Sequence, residues 1–571
     1  MQLKIDALKE AAAWPGADRR TSVVLASQLM AAELYQEGFD YFAARSDNAP
    51  TDAPTDAPTD APTDVPTDAL WMALAGAFES RLDGRTADAI ARLDMATSLD
   101  LGLPHYFRGT SLARLPECAG RAETVVADLE FVLAVKDQFP PGLMRAVYEG
   151  LARAYEILGR TEQAAVARSR SGRLIADYWV TAGDGFRFAP RRLAELAPDV
   201  YVAQGYDFSD FAFVLTAEGI VAIDAASTPE HAARALRDLR EITRLPVTHV
   251  ILTHAHFDHI GGLDALTTEG ATVIAQANFP AELRNQNAGP PPFRYLLPAG
   301  RSHRAQVVPD QLVTKPETLA IGGVEFTLIP VAGGETHDGL IIALPDREVV
   351  FSGDMSMPYL GAPFFAEGSA EGLFEAMETV MALRPRLLIH GHAGLTDTYT
   401  IEAFPGLLGA LRDLDDAVRA GIADGLTLVE ILQLNHLPKV LKDHPLAVIP
   451  YLVTRDHFIQ RVHRQRTGYW HPGGEGVEHF TPAELAAAAD LLGGGTAAAF
   501  AATGAELTRR GEHALALRVL DLGLLSHPGT AELADLRQGV LQRLAERHQL
   551  LNPFKFAYYA GLADLELAPP G

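Results

Sequence analysis

The spacing of apolar residues divides the chain into a helical first part, a mixed middle part and a helical last part. Up to about residue 180 the chain is rich in alanine, and apolar residues recur at the spacing of one helix face. From about residue 190, short β-branched and aromatic runs such as Val247 to Leu252 alternate with amphipathic segments. After about residue 400 the helical spacing returns. This order predicts an α/β layered domain between two helical ones.

Three segments of the first part share a helix, a turn and a second helix. The turns fall at Gly84, Gly120 and Gly159, which are 36 and 39 residues apart. Paired helices at such a period are typical of tetratricopeptide-like repeats, although an ordinary helical bundle has the same composition. Residues 50–69 carry five copies of Pro-Thr-Asp-Ala or a close variant. We interpret them as an extended, solvated loop, because proline at every fourth position blocks a helix.

Composition narrows the class of function. The chain has 571 residues, a net charge of −25 and a pI near 5.2, which argues against nucleic acid or an anionic membrane as a partner. It shows no signal peptide and no apolar run long enough for a transmembrane helix, so we expect a cytoplasmic protein. The single cysteine, Cys118, rules out internal disulfides and Cys-rich zinc modules. We interpret it as a small core residue rather than a nucleophile.

The stretch THAHFDHIGG, residues 253–262, follows the apolar run directly and concentrates potential ligands. His254 and His256 are two apart, so an extended backbone can direct both side chains to one side. Asp258 and His259 follow in a turn and can face a second position nearby. Imidazole and carboxylate together suit zinc, iron or manganese. The loop therefore predicts two adjacent metal sites.

This H-x-H-x-D-H pattern after a strand resembles the metallo-β-lactamase superfamily, which implies an αββα sandwich fold. The family's bridging aspartate is matched by Asp354 in FSGDMSM, and its last histidine by His392 in LLIHGHA. His390 is the neighbouring alternative, but the Gly-His order favours His392. Asp224 in VAIDAA matches a recurring aspartate whose role we interpret as structural.

The middle ligand departs from the family pattern, which usually has Gly-His-Thr there. Residues 331–342 read VAGGETHDGLII, and aligning Asp338 with the usual motif puts Glu335 in the place of the histidine. His337 is the alternative: it would either bind the metal itself or support a residue that does. A glutamate here resembles the alkylsulfatase branch of the superfamily. The resemblance thus implies seven metal ligands: His254, His256, Asp258, His259, Glu335, Asp354 and His392.

The last part of the chain also resembles alkylsulfatases. Residues 459–472, 509–537 and 552–567 look like the helical domain through which those enzymes dimerise. The match is incomplete, because alkylsulfatases carry two glutamate ligands whereas Asp354 and His392 follow the general superfamily pattern. We expect a tetratricopeptide-like domain over residues 1–180, a metallo-β-lactamase-like catalytic domain over 185–400 and a helical dimerisation-like domain over 401–571. We therefore expect a homodimer.

These features favour a metal-dependent hydrolase with two divalent ions, most simply Zn²⁺, with iron or manganese as alternatives. Metal-bound hydroxide would attack an ester-type bond of a small-molecule substrate, a sulfate ester being one candidate. Asp258 would also take a proton. The Pro/Gly-rich segment 287–305 offers Arg294, Tyr295 and His303 for substrate contacts. Two alternatives stay open: an iron-dependent oxidoreductase on the same fold, and an interaction protein whose repeat helices bind a protein partner beside a degenerate metal domain.

Overall fold

The computed structural model describes most of the chain. The described residues are 2–14, 16–47, 67–99, 102–136, 139, 143–171, 174–175, 179–181, 185–187, 191–289, 302–355, 368–467, 479, 481–491, 495–549, 552–565 and 567–568. Most of the Pro-Thr-Asp-Ala repeat lies outside them, as do Arg294 and Tyr295. The repeat's last three residues open a helix, which corrects the prediction of a loop through residue 69.

Paired helices form the first part of the chain. They are α1 (Gln2–Ala12), α2 (Arg19–Ala31), α3 (Tyr35–Asp47), α4 (Thr67–Glu79), α5 (Thr86–Leu99), α6 (Leu103–Arg114), α7 (Ala122–Ala134), α8 (Met144–Ile157) and α9 (Thr161–Ser171). Gly84, Gly120 and Gly159 lie between partners of three successive pairs, with φ of 73°, 71° and 72°. Glycine adopts this left-handed conformation at little cost, which explains the residue type at each turn. The tetratricopeptide assignment itself stays a prediction.

Two sheets form the middle of the molecule. The strands of the first are β4 (Arg192–Ala197), β5 (Val200–Gln204), β6 (Phe211–Leu215), β7 (Ile220–Ile223), β8 (Val247–Ile251), β9 (Thr272–Gln276) and β10 (Gln311–Val313). Their order in the sheet is β10-β9-β8-β7-β6-β5-β4. Neighbouring strands are antiparallel from β4 to β7 and parallel from β7 to β10.

The second sheet runs in sequence order. Its strands are β11 (Glu317–Ile321), β12 (Val324–Val331), β13 (Gly339–Leu344), β14 (Val349–Gly353) and β15 (Leu387–His390). All neighbours are antiparallel except β14 and β15, which are parallel. Two short pairs lie elsewhere: β1 (Leu174–Ile175) beside β16 (Leu567–Ala568), and β2 (Trp179–Thr181) beside β3 (Gly185–Arg187).

The core lies between these sheets and is closed by helices on both outer faces. Val202 and Ile251 of the first sheet belong to one buried cluster with Phe326 and Ile342 of the second. The outer face of the first sheet packs against α10 (Pro229–Leu239), α12 (Leu263–Leu266) and α13 (Phe279–Ala288). The outer face of the second packs against α14 (Ala370–Leu383), α16 (Phe404–Ala423) and α18 (Val448–Thr467). The predicted αββα sandwich is confirmed.

Two short helices, α11 (Phe257–Ile260) and α15 (Ala393–Thr396), belong to the middle part. The last part is completed by α17 (Leu428–Gln433), α19 (Pro482–Leu491), α20 (Ala497–Arg509), α21 (His513–Ser526), α22 (Ala531–His548) and α23 (Pro553–Leu562). The first and last parts meet: Gln28 of α2 donates to the backbone oxygen of Arg547 in α22 at 3.0 Å. Across the described ranges, every helix is too short or too polar to cross a bilayer.

Candidate metal centre

The histidine loop joins β8 to the short helix α11 at one edge of the first sheet. His254 and His256 lie in the loop, Asp258 and His259 lie on α11, and all four side chains are buried. Gly262 follows, and a Cβ there would come within 2.0 Å of the backbone oxygen of Ala225. Glycine is therefore needed because the loop packs directly on the segment after β7, and not because of a special backbone angle.

One group of ligand atoms is formed by His254, His256 and Glu335. Their candidate atoms all lie within 4.8 Å of one another. His254 Nε2 is 3.0 Å and His256 Nδ1 is 3.2 Å from the same Glu335 oxygen, Oε2. Glu335 comes from the loop between β12 and β13, so the two sheets meet at this point. We call these three residues the first cluster.

A second cluster contains Asp258, His259, Asp354 and His392, again within 4.8 Å. His392 Nε2 is 2.8 Å from Asp354 Oδ2 and 3.6 Å from Asp258 Oδ2. His259 Nε2 is 3.4 Å from Asp354 Oδ2 and 3.3 Å from Asp258 Oδ2. Asp354 and His392 follow the neighbouring strands β14 and β15. The structure thus brings all seven sequence-predicted ligands together, in two groups.

The alternatives considered for two ligands lie elsewhere. Glu335 is 2% exposed, whereas His337 is exposed and its backbone oxygen accepts hydrogen bonds from Gln276 and Asn278. His390 is buried, but its ring bonds Ser352 Oγ at 3.1 Å and the Tyr399 backbone oxygen at 2.9 Å. The arrangement therefore favours Glu335 over His337 and His392 over His390.

Asp224 holds the histidine loop in place. Its carboxylate accepts hydrogen bonds from the Thr253 backbone at 2.7 Å and from the Thr253 hydroxyl at 2.8 Å, and it lies 2.8 Å from His259 Nδ1. Asp224 itself has a left-handed backbone with φ of 62°, which is uncommon outside glycine. His392 is oriented similarly, with Nδ1 2.8 Å from the Phe208 backbone oxygen. Such contacts orient ligand rings so that the other nitrogen faces a metal.

Imidazole and carboxylate groups lie close together in both clusters and shift one another's pKa values. Burial lowers the pKa of His256, but the neighbouring Glu335 carboxylate outweighs it and raises that pKa to about 9. Burial raises the pKa of Asp354, yet His392 and His259 hold it well below its usual range. Burial likewise lowers the pKa of His259, which Asp258 and Asp354 raise well above its usual value. The electrostatics thus favour a positive charge among these carboxylates.

Several buried atoms in these clusters have no hydrogen-bond partner. They are His254 Nε2, His259 Nε2, Asp354 Oδ1 and both carboxylate oxygens of Glu335. Although His254 Nε2 is close to Glu335, the contact is not aligned as a hydrogen bond. Buried polar atoms without partners are costly, and imidazole nitrogens with carboxylate oxygens are ligands for zinc, iron and manganese. The residues present therefore fit a pair of divalent cations.

Sequence reasoning missed Gly391, which lies directly against the second cluster. A Cβ on this residue would be 2.1 Å from Asp354 Oδ1 and 2.6 Å from His259 Cε1. The backbone of Gly391 is fixed on both sides, because its nitrogen donates to Gly353 at 3.0 Å and its oxygen accepts from Asp210 at 2.6 Å. Only the run Gly-His in the sequence hinted at this constraint.

His303, predicted to contact substrate, lies in a separate cleft of about 270 Å³. The cleft is lined by Thr228 at the start of α10 and by Phe257 and Gly261 around α11, but by none of the seven clustered side chains. His303 Nε2 is buried without a hydrogen-bond partner. Cys118 is 0% exposed and packs in the core of the first helical part.

Residues 206–392 match the family model of the metallo-beta-lactamase superfamily. The chain contains a metallo-beta-lactamase domain. It is 26% identical over 199 residues to an (R)-specific secondary-alkylsulfatase from Pseudomonas sp., covering 29% of this chain and 30% of that protein. It is 21% identical over 422 residues to the alkyl/aryl-sulfatase BDS1 from Saccharomyces cerevisiae, covering 66% and 64%.

One further enzyme and one solved structure are also similar to this chain. A hydroxyacylglutathione hydrolase from Rhodobacter capsulatus is 27% identical over 180 residues, covering 31% of this chain and 60% of that protein. The solved structure of the inverting sec-alkylsulfatase Pisa1 from Pseudomonas sp. has a TM-score of 0.53 at 18% identity, covering 66% and 65%. The chain spans less than two thirds of the length of these relatives. The metallo-beta-lactamase domain therefore occurs here in an alkylsulfatase-like setting of helices.

Proposed function

We propose that this protein is a metal-dependent hydrolase that cleaves an ester-type bond, with sulfate esters as the first substrates to test. The observation that carries the proposal is the pair of buried clusters, which hold seven donor side chains and contain unpartnered nitrogen and oxygen atoms. Degeneracy of the metal domain, one of the alternatives from the sequence, would not preserve such a set. We therefore expect the domain to bind metal.

We assign one divalent ion to each cluster. His254, His256 and Glu335 would hold the first ion, and Asp258, His259 and His392 the second. Asp354 has one oxygen near His392 and the other without a partner, which supports its predicted role as a shared ligand. When bound, divalent ions of this kind activate water at neutral pH and polarise the bond under attack.

The protein's own residues would position this chemistry and handle a proton. Asp258 Oδ2 lies between His259 and His392, at 3.3 and 3.6 Å. We assign Asp258 the additional role of accepting a proton during bond cleavage, which for a placed carboxylate contributes about 10²- to 10⁴-fold to the rate. Asp224 would keep His259 in the required orientation.

The substrate class rests on the extent of the comparisons. The match to the alkyl/aryl-sulfatase runs over 422 residues, whereas the match to the hydroxyacylglutathione hydrolase runs over 180. The longer match reaches into the helical parts that surround the domain. Sulfate esters are therefore our first choice and thioesters our second.

A specific observation keeps the oxidoreductase alternative open. The first cluster combines two histidines with one carboxylate, a ligand set also used by non-haem iron oxygenases. Metal analysis of the purified protein separates the two functions. Two zinc ions per chain support the hydrolase, and a single iron with dioxygen-dependent turnover supports the oxidoreductase.

The function is tested by assaying metal-loaded protein against alkyl sulfates, phosphate esters, thioesters and lactones, together with Asp258→Asn. We expect this variant to fold normally and to lose at least about 100-fold in kcat with a much smaller change in KM, because the lost proton transfer belongs to the transition state. Substitution of the exposed His337 by alanine is the matched control. Hydrolysis that persists after complete removal of metal would end the proposal.

We also propose that the protein forms a homodimer through its helical tail, roughly residues 450–571, and that the first helical part is the surface for any protein partner. The resemblance of residues 459–472, 509–537 and 552–567 to the helical domain through which alkylsulfatases dimerise supports the dimer, and two-fold pairs are the commonest oligomers. Analytical ultracentrifugation should give twice the chain mass. A monomer at micromolar concentration would refute the dimer.

A further inference from the structure

A group of basic side chains lies where the two ends of the chain meet, and none of them belongs to the metal-binding clusters. Helices α1, α18, α22 and α23 contribute them. We call the group the cationic cluster, and it consists of Lys4, His457, Arg547, His548 and Lys555. The position of the cluster matters because these four helices come from opposite ends of the sequence.

Asp456 is a carboxylate that faces the cationic cluster, and two cations already share it. Lys4 Nζ lies 3.1 Å from Asp456 Oδ2, and the buried Arg455 donates to Asp456 Oδ1 at 3.0 Å. Another nitrogen of Arg455, Nη1, donates a hydrogen bond to the side-chain oxygen of Asn435. The charges of Arg547 and Lys555 thus face a carboxylate that already neutralises other cations.

Burial makes this imbalance costly. The Lys4 side chain is 14% exposed and His548 is 8% exposed. Burial, followed by the charge of Lys4, lowers the pKa of Lys555 to about 8. Burial and the charges of Lys555 and Lys4 lower the pKa of His457 to about 3. Each shift reflects a site where positive charge is poorly compensated.

Three nitrogen atoms in the cationic cluster are buried without a hydrogen-bond partner. They are His457 Nε2, Arg547 Nε and His548 Nδ1. The His548 ring stacks on Tyr559 with a centroid separation of 5.8 Å, which fixes its plane. Buried polar atoms in folded proteins nearly always have a partner. Arg547 Nε is always a donor, and each of the two imidazole nitrogens donates when it carries the ring proton, so a ligand that presents several acceptors would satisfy all three atoms.

We propose that the cationic cluster binds a small tetrahedral oxyanion, such as inorganic phosphate or sulfate, which joins α1 to α18, α22 and α23. Such an ion presents acceptor oxygens in several directions and forms the stronger, charge-assisted kind of hydrogen bond with Lys and Arg. It also supplies the negative charge that Asp456 alone does not. Because Lys4 and His548 are largely enclosed, the free ion fits better than an organic phosphate.

Calorimetric titration of the metal-loaded protein with inorganic phosphate tests the proposal, with Lys555→Met and the exposed Lys315→Met as a matched pair of variants. We expect saturable binding in the wild type, at least about tenfold weaker binding in Lys555→Met, and no change in Lys315→Met. Lys555→Arg should retain binding. Equal affinity in the wild type and Lys555→Met would overturn the proposal, as would the absence of saturable binding in the wild type.

Two further measurements locate the ion and identify it. Phosphate binding that depends on Lys555 should persist in Glu335→Ala, since the metal-binding clusters are a different site; its loss there would overturn the assignment to the cationic cluster. Phenyl phosphate should bind more weakly than phosphate, and tighter binding would overturn the choice of a free ion.

The charge imbalance itself is tested by thermal denaturation in anion-free buffer. There Lys555→Met should melt no lower than the wild type, and a lower Tm would contradict the imbalance on which the proposal rests.

Discussion

Replacing Gly391 by alanine tests how tightly the second cluster is built. The added Cβ would lie 2.1 Å from Asp354 Oδ1, whereas ordinary van der Waals contact begins at 3.4 Å, so the atoms must separate by about 1.3 Å. Asp354 cannot turn away freely, because its other oxygen lies 2.8 Å from His392 Nε2. The Gly391 backbone is also held, by Gly353 and Asp210.

A shift of this size is large for a metal ligand. Metal–ligand distances are kept within about 0.2 Å, and a misplacement of about 1 Å in a catalytic site can cost about 100-fold in rate. We therefore expect Gly391→Ala to lower metal affinity or kcat by about 100-fold. Overpacking should also reduce the free energy of unfolding by about 1 to 3 kcal/mol.

The assay compares metal content after dialysis, kcat and chemical denaturation in Gly391→Ala and a control. Gly539→Ala is the matched control, because a Cβ there meets nothing within 4 Å and the residue lies inside helix α22. Alanine at such a position should stabilise the protein by up to about 1 kcal/mol and leave metal content unchanged. If Gly391→Ala keeps full metal content and rate, the close packing described around Asp354 is wrong.

Three further predictions concern other residues. Glu335→Ala should lower metal affinity by at least about 100-fold while His337→Ala retains metal, as measured by elemental analysis; the reverse order would make His337 the ligand. Cys118→Ser should keep kcat within about twofold, because the buried thiol has its pKa raised and is no nucleophile; a complete loss of rate in folded protein would contradict this. The pKa of His457 is lowered by burial from 6.5 to about 3, so the unfolded chain binds more protons over that range, and the free energy of unfolding should fall as the pH drops through it. His457→Leu should weaken this acid dependence, as followed by denaturation in buffers free of phosphate and sulfate, and an unchanged pH profile would count against the burial of His457.

The order of elements and most of the ligands could be predicted from the sequence. The histidine loop is contiguous, so His254, His256, Asp258 and His259 had to lie at one strand end. Asp354 and His392 also follow apolar runs that became the parallel strands β14 and β15. Parallel neighbours end at the same edge of a sheet, which is why a one-dimensional pattern was enough to place these side chains together.

Which of the two predicted metal sites Glu335, Asp354 and His392 each join was decided only by the tertiary structure. In the sequence, Glu335 and His337 are two residues apart and both can bind metal, and only the alignment of Asp338 favours Glu335. The turn after β12 buries Glu335 and exposes His337. Apart from the order Gly-His, the contact of Gly391 with Asp354 and His259 likewise leaves no local pattern, because glycine adds no side chain to a periodicity. Such contacts depend on how two sheets close over each other.

The meeting of the chain's two ends is the clearest case of this kind. The sequence predicts helices near Lys4, Asp456 and Lys555, because apolar spacing within each segment sets its local structure. It does not predict that these helices share one interface, since the cost of bringing distant segments together is met by burial of apolar side chains from both, such as Ile5 and Phe458. Only that packing places the basic residues of both ends beside one carboxylate.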